Sequence, residues 1–165
     1  MKNYILTEAQ VAKKLQRMAY EIAERNVGEE KLLFAGIKDN GVVIAKRLKT
    51  LLSTIFKGEI DIIEMEIDDK RFPRKITLSK TPNFDNAVVI VIDDVANSGK
   101  TMLYALQPFL KDQPKKIQTL ALVDRTHKTF PVHTDYIGFA VATTLQEHIF
   151  VEVDNNEKIT GAWLE

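Results

Sequence analysis

The stretch VVIVIDDVANSGKT, Val88 to Thr101, decides how this 165-residue chain reads. Its first five residues are β-branched and apolar, with no polar residue alternating between them. A strand buried on both faces, as in a parallel sheet, has that pattern. Asp93 and Asp94 follow at once, so they are expected at the C-terminal edge of the strand, where open α/β sheets bind ligands. A short loop then leads into a helix from about Gly99 to Leu110. Ser98, Gly99, Lys100 and Thr101 fall where backbone N–H groups and a helix start can receive a phosphate. The spacing differs from the longer glycine-lysine pattern of a P-loop. Acids beside an anion cradle suit a ligand with both hydroxyls and phosphates, such as a sugar phosphate.

Outward from this stretch, strands and helices alternate. Thr7 and Gln10 have capping-box spacing, and Val11, Leu15, Met18, Ile22 and Ala23 recur at helical spacing to about Asn26. Gly28 ends that helix. Leu32–Ile37 reads as a short buried strand, and Gly36 to Gly41 turns the chain into a helix over Val42–Thr54. Ile60–Ile67 reads as a strand. Residues 68–86 form a polar loop with Pro73 and Pro82 and the cations Lys70, Arg71, Arg74, Lys75 and Lys80, long enough to be either a functional lid or a locally disordered segment. Pro114 closes the helix after Gly99, and Ile117–Val123 is the next strand. Tyr136–Val141, Ile149–Val153 and Ile159–Trp163 are expected as short strands in the tail. The alternation predicts one α/β domain, 1–165, around a right-handed parallel sheet.

Composition narrows the function classes. Lys+Arg and Asp+Glu both number 23, so the formal charge is +0, and nothing favours a strongly basic nucleic-acid binder. With no cysteine, disulfides, a thiol nucleophile and a Cys–zinc site are excluded. The N-terminus lacks a signal-peptide core, and the longest apolar run, Ala87–Ile92, is too short to span a bilayer. A soluble cytoplasmic protein is expected. His127, His133 and His148 lack metal-site spacing. Asp93 and Asp94, being adjacent, can serve two directions, one toward the ligand and one toward a metal shell. Carboxylates hydrogen-bonded to vicinal hydroxyls would stabilise a sugar ring gaining positive charge.

Apolar residues, two acids, three residues and then Ser98-Gly99-Lys100-Thr101 together resemble the 5-phosphoribosyl-1-pyrophosphate (PRPP) motif of type I phosphoribosyltransferases. The segments Leu122 to His127, Pro131-Val132 and Asp135 to Gly138 are similar to the pyrimidine operon attenuator subgroup, whose members are also uracil phosphoribosyltransferases. Glu24 to Asn26, Gly36 to Lys38 and Gly41 match the same subgroup, so the resemblance runs from about Arg17 to Asp154. It implies the type I phosphoribosyltransferase fold: a central parallel sheet flanked by helices, with a small hood and a flexible loop. Asp93 and Asp94 would bind the ribose hydroxyls. Val95, Ala96, Asn97, Ser98, Gly99, Lys100 and Thr101 would hold the 5-phosphate, and Lys38, Asp39, Asn40 and Gly41 the pyrophosphate. Loop 68–86 would close over the site, with Lys70, Arg71 or Arg74 reaching the pyrophosphate. Tyr136 would stack on the base, Ile137 would read its edge through the backbone, and Asp124 would floor the pocket with Arg125 nearby. Mg²⁺ would be carried mostly by pyrophosphate, ribose hydroxyls and water, with Asp93 and Asp94 acting indirectly. The resemblance further implies a homodimer or higher homo-oligomer, with PRPP and a nucleobase or nucleotide as partners and RNA as an alternative one.

Five positions, at four places, depart from that pattern. Ser98 replaces the usual threonine and keeps its hydroxyl. Asp39-Asn40 stands where the attenuator subgroup carries Thr-Arg, so a cation is lost and an anion gained beside an anionic ligand. Asn97 stands where purine-salvage relatives carry an aspartate, and it takes no proton at neutral pH. Phe139 replaces the lysine that follows the Tyr-Ile-Gly run in the subgroup. The expected activity is transfer of phosphoribosyl to a nucleobase, with uracil first. The alternatives are a pyrimidine-responsive RNA-binding attenuator and a purine phosphoribosyltransferase.

Overall fold

Val88–Ile92 is buried throughout, each residue at most 2% exposed, and its side chains alternate between two apolar clusters. Val88, Ile90 and Ile92 enter one; Val89 and Val91 enter the other. A strand with core on both faces cannot use polar alternation, which explains its continuous apolar sequence. In this computed structural model, which describes residues 1–70, 72–73 and 75–165, that strand is β5, Val88–Ala96.

Six strands make the main sheet: β2 (Lys31–Ile37), β3 (Glu59–Ile67), β4 (Ile76–Leu78), β5, β6 (Lys116–Arg125) and β7 (Tyr136–Val141). Their order is β4-β3-β2-β5-β6-β7. All neighbours are parallel except β3 and β4. Helices α1 (Glu8–Arg25) and α2 (Asn40–Leu52) cover one face with Leu15, Met18, Ile22, Ile44 and Leu48. The other face packs on α3 (Lys100–Ala105) and the 3-10 turn Gln107–Phe109 through Met102, Ala105 and Phe109, and on Phe84. A separate antiparallel hood, order β1-β9-β8, joins β1 (Asn3–Thr7), β8 (Ile149–Val153) and β9 (Ile159–Leu164). Its Leu6, Ile149, Val151 and Ala162 merge into the α1 and α2 cluster.

The capping box at Thr7 forms: Gln10 N donates to Thr7 Oγ1 at 3.3 Å and Thr7 N to Gln10 Oε1 at 2.8 Å. Several boundaries differ from the expectation. β1 was not foreseen, because it pairs with β9, more than 150 residues away. β4 lies inside loop 68–86 as an antiparallel edge strand. The helix after Gly99 ends at Ala105, ahead of Pro108 in the 3-10 turn, instead of reaching Leu110. A proline lacks the N–H that a longer α-helix needs.

Candidate active site

Two glycines bring the start of α2 against the sheet. A Cβ on Gly41 would lie 2.4 Å from Ile92 O, and one on Gly36 2.8 Å from Val42 Cα. Only glycine permits that approach. It sets Lys38, Asp39, Asn40 and Gly41, with the Lys38–Asp39 peptide cis, beside the end of β5. Asn40 Nδ2 donates to Asp94 Oδ2 at 2.8 Å and to Val151 O at 3.2 Å. One amide thus joins α2, the acidic strand end and the hood. Asn40 was expected only to line a pyrophosphate loop; its bridging role needed the three-dimensional position of β8. Lys38 Nζ lies 3.6 Å from Glu64 and 3.7 Å from Glu66 on β3.

Asp93 and Asp94 sit on β5 with different surroundings. Asp93 is 4% exposed, and its Oδ1 accepts from Asp94 N at 2.9 Å. Burial, with the Asp94 carboxylate adding to it, pushes the Asp93 carboxyl well above the ordinary range; the charge of Lys70 opposes the shift. Lys70 on the 68–75 segment therefore acts electrostatically on this edge. Asp94 is half-buried, and its Oδ1 accepts from Val95 N at 2.8 Å. The two oxygens of Asp94 are thus both oriented by donors.

Val95 and Ala96 still belong to β5, so the phosphate-sized turn is shorter than expected: Asn97, Ser98 and Gly99. Gly99 takes φ +85, a left-handed conformation that favours glycine, and precedes α3. Ser98 Oγ accepts from Lys100 N at 3.3 Å. Asp93, Val95 to Thr101 and Met102 line a concavity of about 40 Å³ here. It has room for a group of a few heavy atoms and none for a nucleobase. Lys100 Nζ lies 5.2 Å from the ring centre of Phe72, which places Phe72 beside this turn. Arg71 lies outside the described residues, as does Arg74.

On the neighbouring strand, Ala96 pairs with Asp124, so Asp124 stands level with the end of β5. Asp124 is 6% exposed and its Oδ1 accepts from Lys128 Nζ at 2.6 Å and Thr134 Oγ1 at 2.8 Å. Arg125 reaches the Glu147 carbonyl in the segment between β7 and β8. Two buried polar atoms at this end, Arg125 Nε and Thr143 Oγ1, have no hydrogen-bond partner among the described residues.

Tyr136 corrects the expectation. It pairs with Leu120, four residues before Asp124, and its ring is fully buried. Its hydroxyl donates to Gln118 Oε1 at 2.8 Å and accepts from Asn26 Nδ2 at 3.2 Å. No ring face is open to a base. Ile137 pairs with Ala121, also below the edge, and its carbonyl accepts from Arg17 Nη2 at 3.0 Å. The segment level with Asp124 is instead Ala140 and Val141, leading into residues 142–148. The Asp-Tyr-Ile-Gly motif is thus a packing element in this fold. A cavity of about 1040 Å³ lies at the opposite end of the sheet, near Gly28, Lys31, Pro82 and Val88, away from both aspartates. Among the described residues, no group of three or more acidic or histidine side chains is arranged to hold a metal, and no helix is long and apolar enough to cross a membrane.

Residues 3–155 match the family model of the phosphoribosyl transferase domain. The chain is 33% identical over 174 residues to the bifunctional protein PyrR of Limosilactobacillus reuteri, covering 97% of this chain and 98% of the relative. It is 33% identical to the bifunctional protein PyrR of Clostridioides difficile, with 96% and 97% covered. In fold it is similar to the hypoxanthine phosphoribosyltransferase of Trypanosoma cruzi, with a TM-score of 0.79, 13% identity, and 99% of this chain and 96% of that one covered. A hypoxanthine-guanine phosphoribosyltransferase of Bacillus anthracis gives a TM-score of 0.70 at 22% identity, with 86% and 83% covered. By that match and these relatives, the chain belongs to the type I phosphoribosyltransferase family.

Proposed function

We propose that this protein transfers the 5-phosphoribosyl group of PRPP to a nucleobase, uracil, and releases pyrophosphate. The observation that carries the reading is the grouping at one sheet edge of Asp93, Asp94 and the Asn97–Gly99 turn, with the start of α2 alongside. In the reaction, the bond from the ribose C1 to pyrophosphate breaks and the pyrophosphate leaves with the electron pair. A base nitrogen supplies the pair for the new C1–N bond and gives up its proton to solvent. The ribose passes through a state with positive charge on the ring. Asp93 and Asp94 stabilise that charge through the ribose hydroxyls, without a covalent nucleophile. The turn binds the terminal phosphate, and α2's first residues face the leaving pyrophosphate.

Magnesium fits this edge as an ion held chiefly by substrate oxygens and water. Asp93 Oδ1 and both Asp94 oxygens already accept from protein donors, so these carboxylates are suited to hold the ion through hydroxyls and water. When bound, the ion neutralises charge on the leaving pyrophosphate.

Uracil is favoured over a purine by Asn97, which supplies no proton, and by Asp124, which presents an acceptor at the base end. The test is pyrophosphate release from PRPP with uracil, hypoxanthine, guanine and xanthine in turn. Uracil alone is expected to give rapid turnover. PRPP binding without turnover on any base would end the enzymatic reading.

A second role, binding pyrimidine-leader RNA, is favoured by the relatives' description as bifunctional and by the Leu122 to Gly138 resemblance. A gel shift at low salt tests it, since phosphate contacts weaken steeply with salt. Absence of a complex there removes this role.

A further inference from the structure

The segment after β6 is tied to both halves of the site. Thr129 N and Phe130 N each donate to Ser98 O at 3.0 Å. Phe130 O and Lys128 Cδ lie 3.3 and 3.4 Å from where a Gly99 Cβ would be. The segment therefore packs on the back of the Asn97–Gly99 turn. Its own anchor is Lys128, whose side chain is 17% exposed. Lys128 Nζ donates to Asp124 Oδ1 at 2.6 Å and to Arg125 O at 2.7 Å. Thr134 Oγ1 donates to the same Asp124 oxygen at 2.8 Å.

From this geometry we infer that Lys128 is a positioning residue, which holds the phosphate turn in its binding conformation and fixes it relative to the base-side carboxylate Asp124. The inference rests on the reading of this site as one for a phosphorylated ribose. Ser98 O has two donors from the brace, so the turn cannot relax unless residues 129 and 130 move. Those residues follow directly on Lys128, whose half-buried ammonium spans Asp124 and the Arg125 carbonyl. Asp124 keeps Oδ2 for another contact while Oδ1 is consumed by Lys128 and Thr134. Loss of the ammonium frees the turn and leaves a buried carboxylate with one donor fewer. Lys128 itself touches no reacting atom; it acts through Ser98 and Asp124.

The experiment compares wild type, K128M and K128R in calorimetric titrations with ribose 5-phosphate and with PRPP, and in steady-state kinetics. Amide hydrogen exchange is read at Thr129 and Phe130. K128M is expected to weaken both ligands about tenfold and to raise KM for PRPP with kcat changed less than about threefold. Exchange should quicken at the two amides while Val89 to Ile92 stays protected, and K128R should restore most of the affinity. A lysine that merely stabilised the fold would lower the melting temperature and leave KM and those two amides unmoved; that result overturns the inference. If K128M does not fold, K128Q is read in the same way. A wild-type protein that binds neither ligand defeats the functional reading and this inference with it. Normal wild-type binding with an unaltered variant defeats the inference alone.

Discussion

Replacing Gly41 with alanine probes the contact on which the site's assembly depends. The new Cβ would stand 2.4 Å from Ile92 O and 3.3 Å from Asp93 Cα. Ordinary contact begins at 3.4 Å, so α2 must retreat by about 1 Å from β5. The obstacle is the carbonyl of a central strand, which cannot rotate aside as a side chain can. Overpacking of this kind costs about 1–3 kcal/mol, and a backbone obstacle places it at the upper end. A retreating α2 also draws Asn40 away from Asp94 and Val151, with a loss of about 1 kcal/mol for each hydrogen bond. Alanine's better helix propensity returns up to ~1 kcal/mol. The net loss is about 2–4 kcal/mol, or roughly 5–15 °C in melting temperature for a chain of this size. Gly28 is the control: its φ is +82 but nothing lies within 4 Å of a Cβ there, so G28A should cost only ~1 kcal/mol for the left-handed backbone. Urea unfolding followed by circular dichroism gives both stabilities, and calorimetry gives PRPP affinity. G41A should lose affinity as well as stability, whereas G28A should keep its affinity. A G41A protein as stable as G28A, with unchanged affinity, would refute the reasoning.

Asp93 is held above its ordinary pKa by burial, so from the usual aspartate range up to that raised value the folded chain retains a proton the unfolded chain has lost. Its stabilising effect is complete at acid pH and disappears as pH rises through the folded pKa. D93N should therefore be about 1 kcal/mol more stable than wild type at neutral pH, with the gap closing toward pH 4, and should lose most turnover; thermal melts across pH check it. N40D sets a second carboxylate against Asp94 and removes the donor to Val151, and it should weaken PRPP about tenfold or more in calorimetry. Y136F removes a buried hydroxyl from the Asn26 and Gln118 network, and urea unfolding should show a loss of about 1–2 kcal/mol with KM for uracil unmoved. A raised KM in that variant would return Tyr136 to the base site.

The β5 stretch was legible because burial on both faces leaves its mark on every residue from Val88 to Ile92. Asp93 and Asp94 at its end, and the turn before α3, were legible for the same reason: an apolar run that stops at two acids has an edge. What the sequence conceals is pairing at a distance. β1 rests on β9, and Asn40 reaches Val151 across 111 positions. Tyr136 shows the hazard in a local motif. An aromatic residue beside a recognisable run suggested a ligand contact, yet the β6–β7 register sets it against Leu120 inside the core. Lys128 lay four residues from Asp124 in a segment without periodicity, and only the folded loop gives that spacing a meaning.

Calorimetric titration with PRPP in the presence of Mg²⁺, on wild type and on D94N, tests the central claim most directly. One PRPP should bind each wild-type chain with saturation, and D94N should bind it at least about tenfold more weakly, since Asp94 sits between Asn40 and the Val95 amide where the ribose hydroxyls would lie. Absence of saturable binding to wild type, or equal binding by D94N, would contradict the assignment of this sheet edge to a phosphorylated ribose.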